Sequence, residues 1–415
     1  MRAIAVAALL VAAAPTVSSP PAWTQFRLHN DGNAALPGTL NVSWRITTNG
    51  GFSSSPSLVD GTLYIGNNAG QFLAIDPSTG KIKWTYKLAN PIMSAPIVYA
   101  SDVVVGEGNE NSPASATPSQ PVHVGDPPNA LVALNRENGT LEWRLNLPGT
   151  GMPTPAIVAG VLVHHNGFGS VIGLDPLSGI KIYERSLHSI ASMSAALPIS
   201  SATFVTAGVG MNAVWAIRAK DGAVVWRSTF SRVASGIGDC PPVADARRVY
   251  CDYAMPPTSA VPAQTERNSH FRAYALDVRT GRKQWDVLLE NGVLPKRNEA
   301  AIPLLARNTL FLGSSVAATV HALDPANGQI KWRINTHGPV KGGIVDVDGT
   351  LYFGDLGGYL WAVSAAGGQV LGVKNMRTPF NVGSPIAAGQ TLMIGSRGGT
   401  LWAVPLVTIR SAHDR

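Results

Sequence analysis

The sequence predicts an all-β chain: an eight-bladed β-propeller of four-stranded antiparallel blades, closed by an N-terminal strand in the last blade. Three observations predict it. A 12-residue motif recurs in units of about 40 residues, turn signals punctuate each copy, and the two ends of the array are complementary fragments. The composition agrees. Only 14% of the 415 residues are charged, 45% are hydrophobic, and 43 Gly with 30 Pro make a turn-rich, helix-poor chain with ample core material.

The elements follow in chain order. Arg2 and the apolar run 3–14 are too short to span a bilayer and read as a secretory signal peptide, residues 1–20. The mature chain is therefore expected in the periplasm or secreted, and no Cys lies near the cleavage region for lipid attachment. Residues 21–410 are read as one propeller and 411–415 as a short tail. NVSWRITT (41–48) is a Trp strand with no motif before it. Then come LAIDPSTGKIKW (73–84), VALNRENGTLEW (132–143), IGLDPLSGIKIY (172–183), WAIRAKDGAVVW (215–226), YALDVRTGRKQW (274–285) and HALDPANGQIKW (321–332). A degenerate WAVSAAGGQVLG (361–372) follows, and a truncated LWAVPL ends at Leu406.

Each unit has a physical reading. Hairpins such as SPSLVDGTLYIG (55–66) carry Asp60-Gly61, a pair suited to a two-residue turn, and Asp348-Gly349 repeats it. In the D-x-x-T/S-G turn, Asp accepts from backbone amides while Gly takes the positive φ. The terminal Trp44, Trp84, Trp143, Trp226, Trp285 and Trp332, with Tyr183 in the third unit, are large enough to dock one blade on the next. Joining 41–48 to the truncated last copy closes the ring and hides both sheet edges. A seven-bladed ring stays open as the alternative, because the seventh copy lacks its Trp.

Cys240 and Cys251 flank a strand–turn–strand segment expected to turn at Asp245-Ala246; a disulfide and two free thiols are both compatible with it. The insertions 106–129 and 252–270 fall between the second and third strands of their units, on the face of the blade-joining loops; functional loops and tolerated surface insertions are both compatible with them, and the shared face points to function. The blade-joining loops should ring a channel mouth. Met93, Met152 and Met193 take equivalent positions there, and Asp239, Arg297, Glu299 and Lys341 supply charge on the other side. The methionines suit channel packing, an adaptable surface for an extended peptide, or a thioether site for Cu(I). Asp239 or Glu299 is the candidate catalytic carboxylate, and Asn298, Arg297 and Lys341 are candidate cofactor contacts. The net charge of +7 is spread along the chain without a basic run, which speaks against nucleic acid.

The motif A-x-D-x-x-T-G-x-x-x-W is similar to the PQQ-like, tryptophan-docking repeat, and WTQFRLHNDGNA (23–34) resembles the W-x-Q-F-R opening of such proteins. Among them, resemblance to quinoprotein dehydrogenases implies PQQ with Ca²⁺, a vicinal Cys-Cys, a stacking Trp, Glu and Asn ligands, an Arg and an Asp base. Here ten residues separate the cysteines and no C-x-x-C-H is present, so no cofactor is expected. Length, blade number and export resemble the BamB-like outer-membrane assembly scaffolds. That resemblance implies a monomeric binding scaffold without chemistry, whose partner is another envelope protein or an extended peptide. A PQQ-dependent dehydrogenase, a hydrolase and a Cu(I)-binding protein using the channel mouth are the alternatives.

Overall fold

Each motif copy forms the two outer strands of a four-stranded antiparallel sheet, as the first blade shows. Its strands are Ser57–Val59, Thr62–Gly66, Gln71–Ile75 and Ile82–Lys87. The inner three are buried along nearly their whole length, because neighbouring blades cover both faces; the fourth alternates toward solvent. The computed structural model describes residues 22–109, 111, 124–234, 236–256, 268–293 and 300–413, and the predicted signal peptide lies outside them.

Eight such sheets form the ring. The last combines Ile386–Ala388, Thr391–Gly395 and Thr400–Pro405 with Trp44–Thr47, where Trp44 lies opposite Ala403 and Thr47 opposite Thr400. The ring has eight blades, closed by the N-terminal Trp strand.

The docking device repeats with little variation. Indole Nε1 of Trp44, Trp143 and Trp285 donates to the carbonyls of Pro77, Pro176 and Pro325 at 2.8, 3.1 and 3.0 Å. In each case the acceptor directly follows the motif Asp of the next blade. The rest of the ring lies on the motif glycine, so a β-carbon at Gly281 would stand 2.5 Å from the Trp226 ring. Gly281 also has φ +70°, a conformation that favours glycine. Gly281→Ala is therefore expected to cost about 1–3 kcal/mol in denaturant unfolding, through strain plus blade displacement.

The missing Trp of the seventh motif has a structural reason. The last blade's third strand leads into a short helix, Leu406–Arg410, not into a D-x-x-T-G turn. No motif glycine awaits an indole there. Helix carbonyls lie over Gly372, where a β-carbon would meet Ile409 O at 2.1 Å, and Leu406 and Ile409 are buried. The C-terminal residues expected as a simple tail thus follow a helix that seals the seventh blade.

Two other expectations shift. Asp245 Oδ1 accepts the amides of Arg247 and Arg248, both at 2.7 Å, so the turn after Val243–Ala244 centres one residue later, on Ala246-Arg247. Segment 252–270, read as loop, is strand at both ends. Arg248–Met255 and Asn268–Asp277 continue pairing to Met255 opposite His270, because the ladder extends beyond the blade.

Residues 23–36 run around the inner strands. Trp23 exchanges backbone bonds with Val98 at 2.9 and 2.7 Å; Thr24 O accepts Ile157 N at 2.8 Å; Asn30 O accepts Ala244 N at 2.7 Å. Asp31 O takes Leu305 N at 2.8 Å, Asn33 Oδ1 takes Asp346 N at 3.0 Å, and Ala35–Leu36 adds a parallel fifth strand to the last blade. This segment stitches six of the eight blades and plugs the channel. Among the described residues no helix is long and apolar enough to cross a membrane.

Candidate functional site

Pseudo-symmetry places equivalent blade-joining loops at one radius, and this assembles a pocket at the channel mouth. Met93, Met152, Met193, Asp239 and Pro241 line it, and Phe26 of the plug also borders it; its volume is about 390 Å³ including the opening. The channel mouth is thus a partly open cup. Met152 is 1% exposed and Asp239 4%, so these groups form the wall and do not project into solvent. The carbonyl of Gly238 accepts the amides of Ser192, Met193 and Ser194 at 3.0, 3.3 and 3.1 Å, clamping the Met193 loop to the Asp239 loop.

The structure therefore brings four of the predicted site residues together. Lys341 is buried on another connection and does not line the pocket. Arg297, Asn298 and Glu299 lie outside the described residues, as do the central parts of both insertions. The base of the first insertion packs on the mouth face: Thr150 N donates to Val124 O at 2.6 Å, and Val124 N to Gly167 O at 2.8 Å.

A second acid stands behind Asp239. Asp252, fully buried, accepts the amide of Ala301 at 3.3 Å and lies 3.8 Å from Cys240 Sγ. Burial pushes its carboxyl well above the usual range, and the charge of Asp239 adds to the effect. The arrangement sets an acid drawn toward its neutral form by burial behind a second acid that lines the cup. A disulfide joins Cys240 to Cys251, with Cα atoms 6.3 Å apart, and so ties the Asp239 loop to the Asp252 strand. Sequence reasoning missed Asp252. Its signal was a carboxylate inside the apolar run VYCDYAM, where an ordinary surface charge has no place.

His164 and His165 are also buried, on the strand Val161–His165. His165 contacts Thr206 Oγ1 at 2.9 Å and Ser189 O at 2.5 Å, and burial lowers the two imidazoles to about 3 and about 4. Each stays neutral in the fold while the unfolded chain takes up a proton below about pH 6.5. Stability is therefore lost as pH falls from about 6.5 toward 3. His164→Leu should flatten that loss, read as the pH dependence of the urea midpoint between pH 4 and 7.

A quinone does not fit this lining. The resemblance implies an indole and a vicinal disulfide against the cofactor, whereas the cup presents thioethers, Phe26 and Pro241, and the Cys240–Cys251 bridge spans a hairpin.

A family profile described as Outer membrane protein assembly factor BamB matches residues 37–117, 110–246 and 184–408. The chain is 25% identical over 378 residues to the tetrathionate hydrolase of Acidithiobacillus ferrooxidans, covering 86% of this chain and 74% of that one. It is 27% identical over 394 residues to the tetrathionate hydrolase of Acidianus ambivalens, covering 86% and 71%. Among solved structures, BamB from Moraxella catarrhalis shares the fold with a TM-score of 0.63 at 16% identity, covering 88% of this chain and 98% of that one.

Proposed function

The chain belongs to the PQQ-like repeat propeller family described as outer membrane protein assembly factor BamB, and on that premise we propose that it is a binding propeller of the cell envelope. It works through the face that carries the two insertions, with the bound ligand or extended peptide seated in the channel mouth. The observation that carries this reading is the cup lined by three thioethers, side chains that can re-pack around varied apolar groups. The reading supposes a monomer without a resident cofactor. Deleting residues 112–123 and, separately, replacing Met193→Glu should release the same partner in pull-downs from envelope extract. Unchanged partners in both variants would overturn it.

The Asp239–Asp252 pair favours a second reading of the same cup, hydrolysis of a sulfur-rich anion such as the tetrathionate named for two relatives. Polarisable thioethers suit divalent sulfur. Asp239 would take the proton from a water that attacks one central sulfur. The central S–S bond breaks, thiosulfate leaves, and the other half departs as a hydroxysulfanyl sulfonate. Asp252, drawn toward its neutral form by burial, lowers the negative charge an anionic substrate meets. Loss of tetrathionate over time, followed by ion chromatography, tests this directly. No turnover by the full chain between pH 2 and 7 sinks it.

A further inference from the structure

On the face opposite the mouth, the inner hairpin turn and the motif turn of the fifth blade lie side by side, joined by Val278 N donating to Arg247 O at 2.9 Å. The two turns frame an open groove of about 380 Å³, whose lining includes Arg247, Arg248, Arg279, Asp277 and Gln284. Arg247 and Arg279 are exposed, and among the described residues neither side chain makes a hydrogen bond or an ion pair. Asp277 is the one acid in the lining, and it is engaged with its own turn. Its Oδ1 accepts the amides of Arg279 and Thr280 at 3.0 and 2.9 Å and the Thr280 hydroxyl at 2.8 Å. Three cations thus meet one carboxylate in a space that solvent already reaches.

The sixth blade shows how such a groove is otherwise filled. Its counterpart, about 350 Å³, is lined by Arg307, Thr309 and Lys331, but these cations are committed. Arg307 pairs with Asp346 at 2.6 Å, and Lys331 donates to Asn308 O and Thr309 Oγ1 at 2.8 and 2.9 Å. The first blade repeats the lysine bond, from Lys83 to Thr62 Oγ1 at 2.7 Å. The fifth blade departs at both positions. Gln284 stands where that Lys precedes the docking Trp, and Arg248 opens the second strand where Thr62 and Thr309 open theirs. We propose that this groove is a binding site for a phosphate group, held by Arg247 and Arg279 with Arg248 beside them. The choice of class follows from donor geometry. Planar guanidinium forks pair bidentately with oxyanions, and a tetrahedral phosphate offers oxygens to more than one fork, whereas a carboxylate is used up by one. A lipid phosphate seated here would turn the insertion-bearing face away from the bilayer.

The test uses two probes on the full chain at constant ionic strength. Inorganic phosphate in place of chloride should raise the Tm saturably, or vesicles of phosphatidylcholine with phosphatidylglycerol should co-sediment the protein where pure phosphatidylcholine does not. The first result assigns the site to a free phosphate, the second to a lipid headgroup. Arg247→Gln combined with Arg279→Gln should weaken the response by about tenfold or more in apparent Kd. The Tm without ligand should stay near wild type, because both residues sit on exposed turns and keep their backbone bonds. Arg377→Gln combined with Arg397→Gln removes the same charge from exposed positions on the mouth face and should leave the response intact. No response to either probe, a response that survives the first pair, or an equal loss in the second pair each overturns the proposal.

Discussion

Asp239→Asn is expected to lower tetrathionate turnover by about 100-fold or more while leaving the urea midpoint near wild type, because a general base contributes about 10²–10⁴-fold to rate. The carboxamide matches the carboxylate in shape, so the Gly238 clamp and the disulfide should hold. Turnover within a few-fold of wild type would remove Asp239 from the chemistry and leave the binding reading alone. The pH profile separates its role from that of Asp252. A carboxyl raised by burial is protonated in the fold when its unfolded counterpart has already ionised near 3.9. Stability from this group is therefore present in acid and is lost as pH rises from about 4 through the raised folded pKa. Asp252→Asn mimics the neutral acid and keeps an acceptor for Ala301 N. It should be more stable than wild type at neutral pH, with the gain vanishing in acid, and any activity should lose its alkaline fall.

Trp23→Ala is expected to cost about 3–5 kcal/mol in global unfolding, the range for emptying a buried Trp site. Trp23 is fully buried and belongs to the largest apolar cluster, between the first two blades and the closing one. Its backbone bonds to Val98 are the first stitch of the plug, so the lost side chain should also loosen the segment behind it. Hydrogen exchange should then rise at the amides of Ile157, Ala244 and Leu305, whose acceptors lie on residues 24–31. A loss near 1 kcal/mol with unchanged exchange would mean that the ring, not the plug, carries the stability.

Much of the ring was readable from the chain alone because a propeller blade is a local object. The pairing of Ala74 with Trp84, or of Ala275 with Trp285, joins residues about ten apart, and the period-2 alternation of the fourth strand follows from one wet face. The closing strand was legible for a related reason, since an orphan Trp strand and a motif lacking one are complementary. The methionine wall was legible because equivalent loop positions in a ring share a radius.

The remainder required the closed ring. Asp239 and Asp252 are separated by a turn and a disulfide-bridged hairpin, and only strand register decides that both approach one wall. The W-x-Q-F-R segment was recognisable as an opening, but nothing local says that Asn30, Asp31 and Ala34 will offer their carbonyls to blades five, six and eight. The helix over Gly372 likewise replaces an indole across a sequence distance no motif encodes. The sequence alone determined the repeat, because its contacts lie within one blade. The tertiary structure decided the cup and the acid pair, because burial and electrostatic field at the axis exist only once eight sheets and the plug have met.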